Sequence, residues 1–88
     1  MKNIKIAIIG LGYVGLPLAR LFATKFPVVG FDINSKRVSE LMLGNDSTLE
    51  IDTKTLKSVL KDFKSDSKGL FCTKSTNEIK DCNYYIIT

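Results

Sequence analysis

The stretch "KIAIIGLGYVGLPLAR", residues 5–20, constrains the fold more than any other part of the chain. Its first half, within "IKIAIIG", is β-branched and almost continuously apolar. That is the composition of a parallel strand covered on both faces. The strand gives way at Gly10 to G-L-G-Y-V-G, so the chain turns out of a sheet and straight into a helix. The helix is expected over Val14 to Lys25, with Leu18, Leu21 and Phe22 as its buried stripe. Pro17 falls in the first turn, where a missing N–H costs little. Each glycine then has a steric task. Gly10 permits the tight turn, Gly12 lets the backbone approach a pyrophosphate, and Gly15 lets the helix pack closely on the sheet. Free N–H groups and the positive end of the helix dipole favour an anion at this point. The backbone of Gly12, Tyr13 and Val14 is therefore the expected anion site.

A rival reading of the same residues is a secretory signal, with Lys2 and Lys5 as its basic start. It fails in detail. Lys5 interrupts the apolar run, no small-residue cleavage site follows, and Arg20 puts a charge where that site would lie.

A second strand, "PVVGFD", supports the phosphate reading independently. It ends on Asp32, 22 residues after Gly10, against the roughly 20 expected for a carboxylate that accepts from an adenosine ribose. A carboxylate there suits the free 2′-hydroxyl of NAD and repels the 2′-phosphate of NADP, so NAD is the expected cofactor. Lys36 and Arg37 are the nearby cations that would otherwise hold such a phosphate. The plainer role for Asp32 is a helix cap. Arg37 reads either as reaching over the adenosine ribose or as an exposed helix charge.

Asn34 or Ser35 is positioned to cap a helix over Lys36 to Leu43, with Val38, Leu41 and Met42 inward and Gly44 ending it. "NDSTLEID" reads as a polar loop. A helix follows from Thr53 to Phe63, striped by Leu56, Val59, Leu60 and Phe63. "KSDSKG" reads as a surface turn, "LFCT" as a third strand, "NEIKDC" as a helical turn and "YYIIT" as a fourth strand. The fold class is thus α/β, a Rossmann-like parallel sheet in order 3-2-1-4, forming the N-terminal part of a dinucleotide-binding domain.

The remaining composition narrows the chemistry. There are no histidines, and Cys72 and Cys82 form no C-x-x-C pair. This excludes a histidine base, and no metal site is expected. Both cysteines read as reduced thiols in or near the core of a cytoplasmic protein. The net charge of +4 comes from scattered lysines such as Lys54, Lys57, Lys61 and Lys64, without interleaved aromatics. A solvated face explains them better than a nucleic-acid groove. No apolar run is long enough to span a membrane.

Beyond this pattern, the chain resembles the N-terminal NAD-binding domain of the UDP-glucose/GDP-mannose dehydrogenases. The resemblance rests on "IAIIGLGYVGLPLA", on "VVGFDIN" with "KRV" after it, on "GNDSTLE" and on "CNYYIIT". The continuation Y-V-G-L-P is not shared by generic Rossmann proteins. "STLEIDTKTL" stands where UDP-glucose enzymes often carry a "YEPGL"-like segment, and is closer to the branch that oxidises UDP-N-acetylhexosamines for capsule and O-antigen sugars. The resemblance implies two-step oxidation of a sugar C6 alcohol to a carboxylate with two NAD. It places Gly10, Gly12, Tyr13, Val14 and Gly15 around the pyrophosphate, Asp32 on the adenosine ribose and Arg37 near it.

The family's catalytic residues lie in a later segment, so Cys72 and Cys82 match no nucleophile and no catalytic residue is expected in residues 1–88. The V-P-T-P loop that normally follows "IIT" is absent, which leaves a cofactor contact by Thr88 in doubt. The expectation is an NAD-binding fragment that is inactive alone, the UDP-sugar being a partner only of the full-length protein. Two other readings use the same glycines: an NAD-sensing regulatory module, and a Rossmann half that no longer binds nucleotide. The edge of the fourth strand is an expected place for self-association into a homo-oligomer.

Overall fold

The computed structural model describes residues 4–48, 50–62 and 67–88. Its order is β1 (Ile6–Ile9), α1 (Gly15–Ala23), β2 (Pro27–Phe31), α2 (Ser35–Met42), α3 (Thr53–Val59), β3 (Gly69–Thr73), a 3-10 turn (Thr76–Ile79) and β4 (Tyr84–Ile87). The strands form one parallel sheet in the order β3-β2-β1-β4, as the sequence predicts. β1 is central and pairs Ile6 with Val28 on one side and with Tyr84 on the other. Alternate residues of β1, β2 and β3 face opposite layers. Ile6, Ile8, Val28, Leu70 and Cys72 pack with Leu16, Ala19, Ala23, Leu41 and Leu56 from the helices. Ala7 and Val29 face the other way, with Cys82, Phe71 and Ile79.

Two expectations need correction. The buried face of α1 is Gly15, Leu16, Ala19 and Ala23, while Leu18 and Phe22 are half-buried and Leu21 is 56% exposed. Small residues four apart let the helix lie close on the sheet. Leu21 is two positions from both Ala19 and Ala23, which puts it across the helix from that face. The third helix also ends early, at Val59 rather than Phe63. Leu60 has extended backbone (φ −67°, ψ 143°) and bridges to Leu70, and Lys61 donates its N–H to the Leu70 carbonyl at 2.8 Å. An apolar residue at helical spacing is here captured by the edge of β3. Phe63 and the start of the "KSDSKG" turn lie outside the described residues.

The ends of α2 follow local chemistry. The Asn34 side chain accepts from the Arg37 N–H at 3.1 Å, and Gly44, at φ +86°, closes the helix with its N–H on the Leu41 carbonyl. Both cysteines are buried thiols. Burial pushes the Cys72 thiol up to about 12, against the opposing pull of the Arg37 charge. Among the described residues, no helix is long and apolar enough to cross a membrane.

Candidate dinucleotide-binding site

The site begins where β1 runs out. Gly10 leaves the strand at φ +100°, a conformation that side chains rarely adopt, and its N–H bonds the Phe31 carbonyl at 2.8 Å. The turn then folds back tightly on itself. A Cβ on Gly15 would stand 1.8 Å from the Gly10 carbonyl oxygen and 2.6 Å from the Thr88 hydroxyl. That hydroxyl donates towards the Gly10 and Ile9 carbonyls, at 2.9 and 3.2 Å. Thr88 therefore sits against the turn as a brace.

The helical ladder starts with the Leu16 N–H on the Gly12 carbonyl at 3.2 Å, followed by Leu18 on Val14 at 3.3 Å. The amides of Tyr13, Val14 and Gly15 precede that ladder, at the positive end of the dipole. Tyr13 and Val14 are exposed, and a Cβ on Gly12 would meet nothing within 4 Å among the described residues. Gly12 thus borders open space, as close approach by a phosphate requires.

Between the first two glycines, Leu11 is held on three sides. Its side chain is fully buried against Gly30, where a Cβ would stand 2.9 Å from a Leu11 methyl. Its N–H donates to Asp32 Oδ2 at 3.0 Å, and its carbonyl accepts from Arg37 Nε at 2.7 Å. Asp32 Oδ1 accepts from the Asn34 N–H at 3.0 Å, so the carboxylate stands fixed at the end of β2 with acceptor capacity left over. Arg37 is only 8% exposed, so it is no solvated helix charge. Its Nη1 reaches Asp46 at 2.8 Å and Glu40 at 3.3 Å, while Nη2 is buried with no hydrogen-bond partner among the described residues.

Asp46 is the centre of the loop after α2. Burial raises its carboxyl, but bonds from Thr48, Arg37 and Ile51 outweigh that and hold it at about 2. Glu40 is also held below its ordinary value, chiefly by bonds from Ser47.

A cleft of about 230 Å³ adjoins the turn, lined by Ile9, Gly10, Phe31, Asp32, Ile33, Ile87 and Thr88. It lies beyond the carboxyl ends of β1, β2 and β4, where open α/β sheets take their ligands. A larger hollow, about 580 Å³, runs along Glu40, Asp46 and Asp52. The Glu40 and Asp52 carboxylates beside it suit no phosphate. The open space at Gly12 and the adjoining cleft fit a dinucleotide with its pyrophosphate over the turn. Among the described residues, no cluster of three or more His, Cys, Asp or Glu is placed to hold a metal.

Residues 4–88 match the model of the UDP-glucose/GDP-mannose dehydrogenase family, NAD binding domain. The chain belongs to that family. The whole chain is 47% identical to UDP-N-acetyl-D-glucosamine 6-dehydrogenase of Pseudomonas aeruginosa and 48% identical to the enzyme of that name from Salmonella typhi, covering 19% of each. Its fold superposes on a solved UDP-D-ManNAc dehydrogenase from Pyrococcus horikoshii with a TM-score of 0.83 and 36% identity, over 97% of this chain and 20% of that one. The chain therefore spans about a fifth of the length of the relatives it matches, and the part it matches is the NAD-binding one. By their names, these relatives act on the UDP-N-acetylhexosamines that the "STLEIDTKTL" segment anticipates.

All seven residues singled out from the sequence gather at this one corner of the sheet: Gly10, Gly12, Tyr13, Val14, Gly15, Asp32 and Arg37. Sequence reasoning missed Leu11, Asp46 and the bracing role of Thr88. Leu11 had a signal, an apolar residue between two glycines opposite a strand glycine. Asp46 had a weaker one, an Asp two residues before a Thr in a loop.

Proposed function

We propose that the chain holds the adenosine and pyrophosphate portion of NAD for a nucleotide-sugar 6-dehydrogenase of the UDP-N-acetylhexosamine branch. The observation that carries this is the turn itself: Leu11 is locked inward while Gly12 borders open space at the start of α1, with the Asp32 carboxylate fixed beside it. The amides of Gly12, Tyr13 and Val14 take the pyrophosphate, and Gly10 and Gly15 give the turn its shape. Asp32 accepts from the adenosine ribose, and Arg37, drawn inward to the Leu11 carbonyl, buttresses the turn. When bound, NAD supplies the hydride acceptor. In the whole protein, two such transfers convert a UDP-sugar C6 alcohol to a carboxylate for polysaccharide biosynthesis.

Residues 1–88 form the N-terminal part of the NAD-binding domain, and the catalytic residues lie in the rest of the protein. The buried thiols of Cys72 and Cys82 support a cytoplasmic setting. Tyr84, Tyr85 and Ile87 on β4 are exposed, which supports self-association along that edge, measurable as a rise in mass with concentration by light scattering.

The direct test is an assay of the full-length protein with NAD and UDP-N-acetylglucosamine or UDP-N-acetylmannosamine, beside the 88-residue chain. Two NADH per sugar from the full-length protein and none from the short chain is the expected result. Turnover by the 88 residues alone would contradict it.

A further inference from the structure

The loop between α2 and α3 contains a buried carboxylate to which the dinucleotide reading gives no task. The Asp46 side chain has no exposed surface, yet donors surround it. Oδ1 accepts from the Thr48 N–H at 3.0 Å, the Thr48 hydroxyl at 2.6 Å and Arg37 Nη1 at 2.8 Å. Oδ2 accepts from the N–H groups of Glu50 at 2.9 Å and Ile51 at 3.0 Å. The loop's own groups already satisfy both oxygens, so the bond to Arg37 is not needed to close the loop. What that bond fixes is the arginine.

A guanidinium is a rigid planar fork, so holding Nη1 also sets where Nε points. Nε here points at the Leu11 carbonyl, at 2.7 Å. The Leu11 carbonyl and the Gly12 N–H belong to one planar trans peptide, in which the two groups point in opposite directions. Drawing the carbonyl inward to Arg37 therefore turns the Gly12 N–H the other way. From the other side, Asp32 holds the Leu11 N–H at 3.0 Å and so restrains the preceding peptide.

We propose that Asp46 is a positioning residue for dinucleotide binding, acting through Arg37 to hold the Leu11–Gly12 peptide with its N–H presented to a phosphate oxygen. This rests on the reading of the glycine turn as a pyrophosphate site. It makes the α2–α3 loop, remote in sequence from the glycines, part of the phosphate-binding apparatus. The strut acts mainly on the phosphate half of the ligand: Arg37 holds the Leu11–Gly12 peptide, whereas the ribose acid is held by the N–H of the preceding peptide and by the Asn34 N–H.

That asymmetry supplies a test that general loosening of the fold would not mimic. The ¹⁵N-labelled chain is titrated with NAD, ADP and adenosine, as wild type, Asp46→Asn and Arg37→Lys. A lysine can reach Asp46 or the Leu11 carbonyl but cannot span both as the fork does, so Arg37→Lys repeats the test if Asp46→Asn does not fold. The expected result is a loss of NAD and ADP affinity of about tenfold, the scale of one lost charge-assisted hydrogen bond. Adenosine affinity is unchanged, and the Leu11 and Gly12 amide resonances move while those of β1–β3 stay in place. A folded variant that weakens all three ligands equally, or none, overturns the positioning role. A folded wild type that binds neither NAD nor ADP overturns the pyrophosphate reading beneath it, so the two failures are told apart by the wild-type titration.

Discussion

Replacing Gly12 and Gly15 by alanine, one at a time, separates what the turn does for the fold from what it does for the ligand. At Gly15 an added methyl would lie 1.8 Å from the Gly10 carbonyl oxygen and 2.9 Å from its carbon. Ordinary contact begins near 3.4 Å, and the obstruction is backbone rather than the flexible end of a side chain. Overpacking typically costs about 1–3 kcal/mol even where neighbours can yield, so Gly15→Ala should cost at least about 3 kcal/mol. For a domain of this size that lowers the thermal midpoint by roughly 12 °C or more. At Gly12 the methyl meets nothing within 4 Å, and φ lies outside the left-handed range. Gly12→Ala should therefore leave stability unchanged or raise it by about 0.4–1 kcal/mol through the unfolded chain. Yet that methyl occupies the space through which the pyrophosphate approaches, so NAD affinity should fall at least about tenfold, or roughly 1.4 kcal/mol. Thermal melts by circular dichroism and NAD titrations of the two variants are the assay. A folded Gly12→Ala that binds NAD like the wild type would refute the argument, as would a Gly15→Ala as stable as its parent.

Other consequences follow from burial and charge. The Asp46 carboxyl titrates at about 2 in the folded chain against an ordinary 3.8, so the unfolded chain takes up its proton first as pH falls. Its contribution, on the order of 1–2 kcal/mol after allowance for solvent near the loop, is fully present above about pH 5 and lost as pH falls towards 2. Thermal midpoints measured across that window should decline less steeply in Asp46→Asn than in the wild type. Cys72, with its thiol pushed up to about 12, should resist alkylation at pH 8 until the chain unfolds, which mass spectrometry of iodoacetamide-treated protein with and without denaturant would check. Leu21→Lys should change stability by less than about 0.5 kcal/mol, whereas Leu16→Ala should cost about 2–5 kcal/mol. A denaturant titration in which the two behave alike would contradict the assigned face of α1.

The sheet order and the gathering of the glycine turn and Asp32 at one corner were legible because each rests on strong local signals. Strand, glycine turn, helix and a second strand ending on an acid leave little topological choice once crossovers are right-handed. The helix faces were less legible because sequence patterning favours large apolar residues, and α1 packs with Gly15, Ala19 and Ala23 against the sheet. The end of α3 was hidden because Leu60 fits a helical stripe and a strand edge equally well, and only the position of Leu70 decides between them. Arg37 was hardest to place. Whether it is exposed or buried depends on Asp46, nine residues on, in a stretch whose composition reads as plain polar loop.

The most direct measurement is a calorimetric or NMR titration of the folded chain with NAD and with NADP, repeated on Asp32→Ala. NAD should bind, NADP should bind more weakly because its 2′-phosphate meets the Asp32 carboxylate, and the variant should lose NAD affinity. A folded chain that ignores NAD, or that takes NADP as well as NAD, would contradict it.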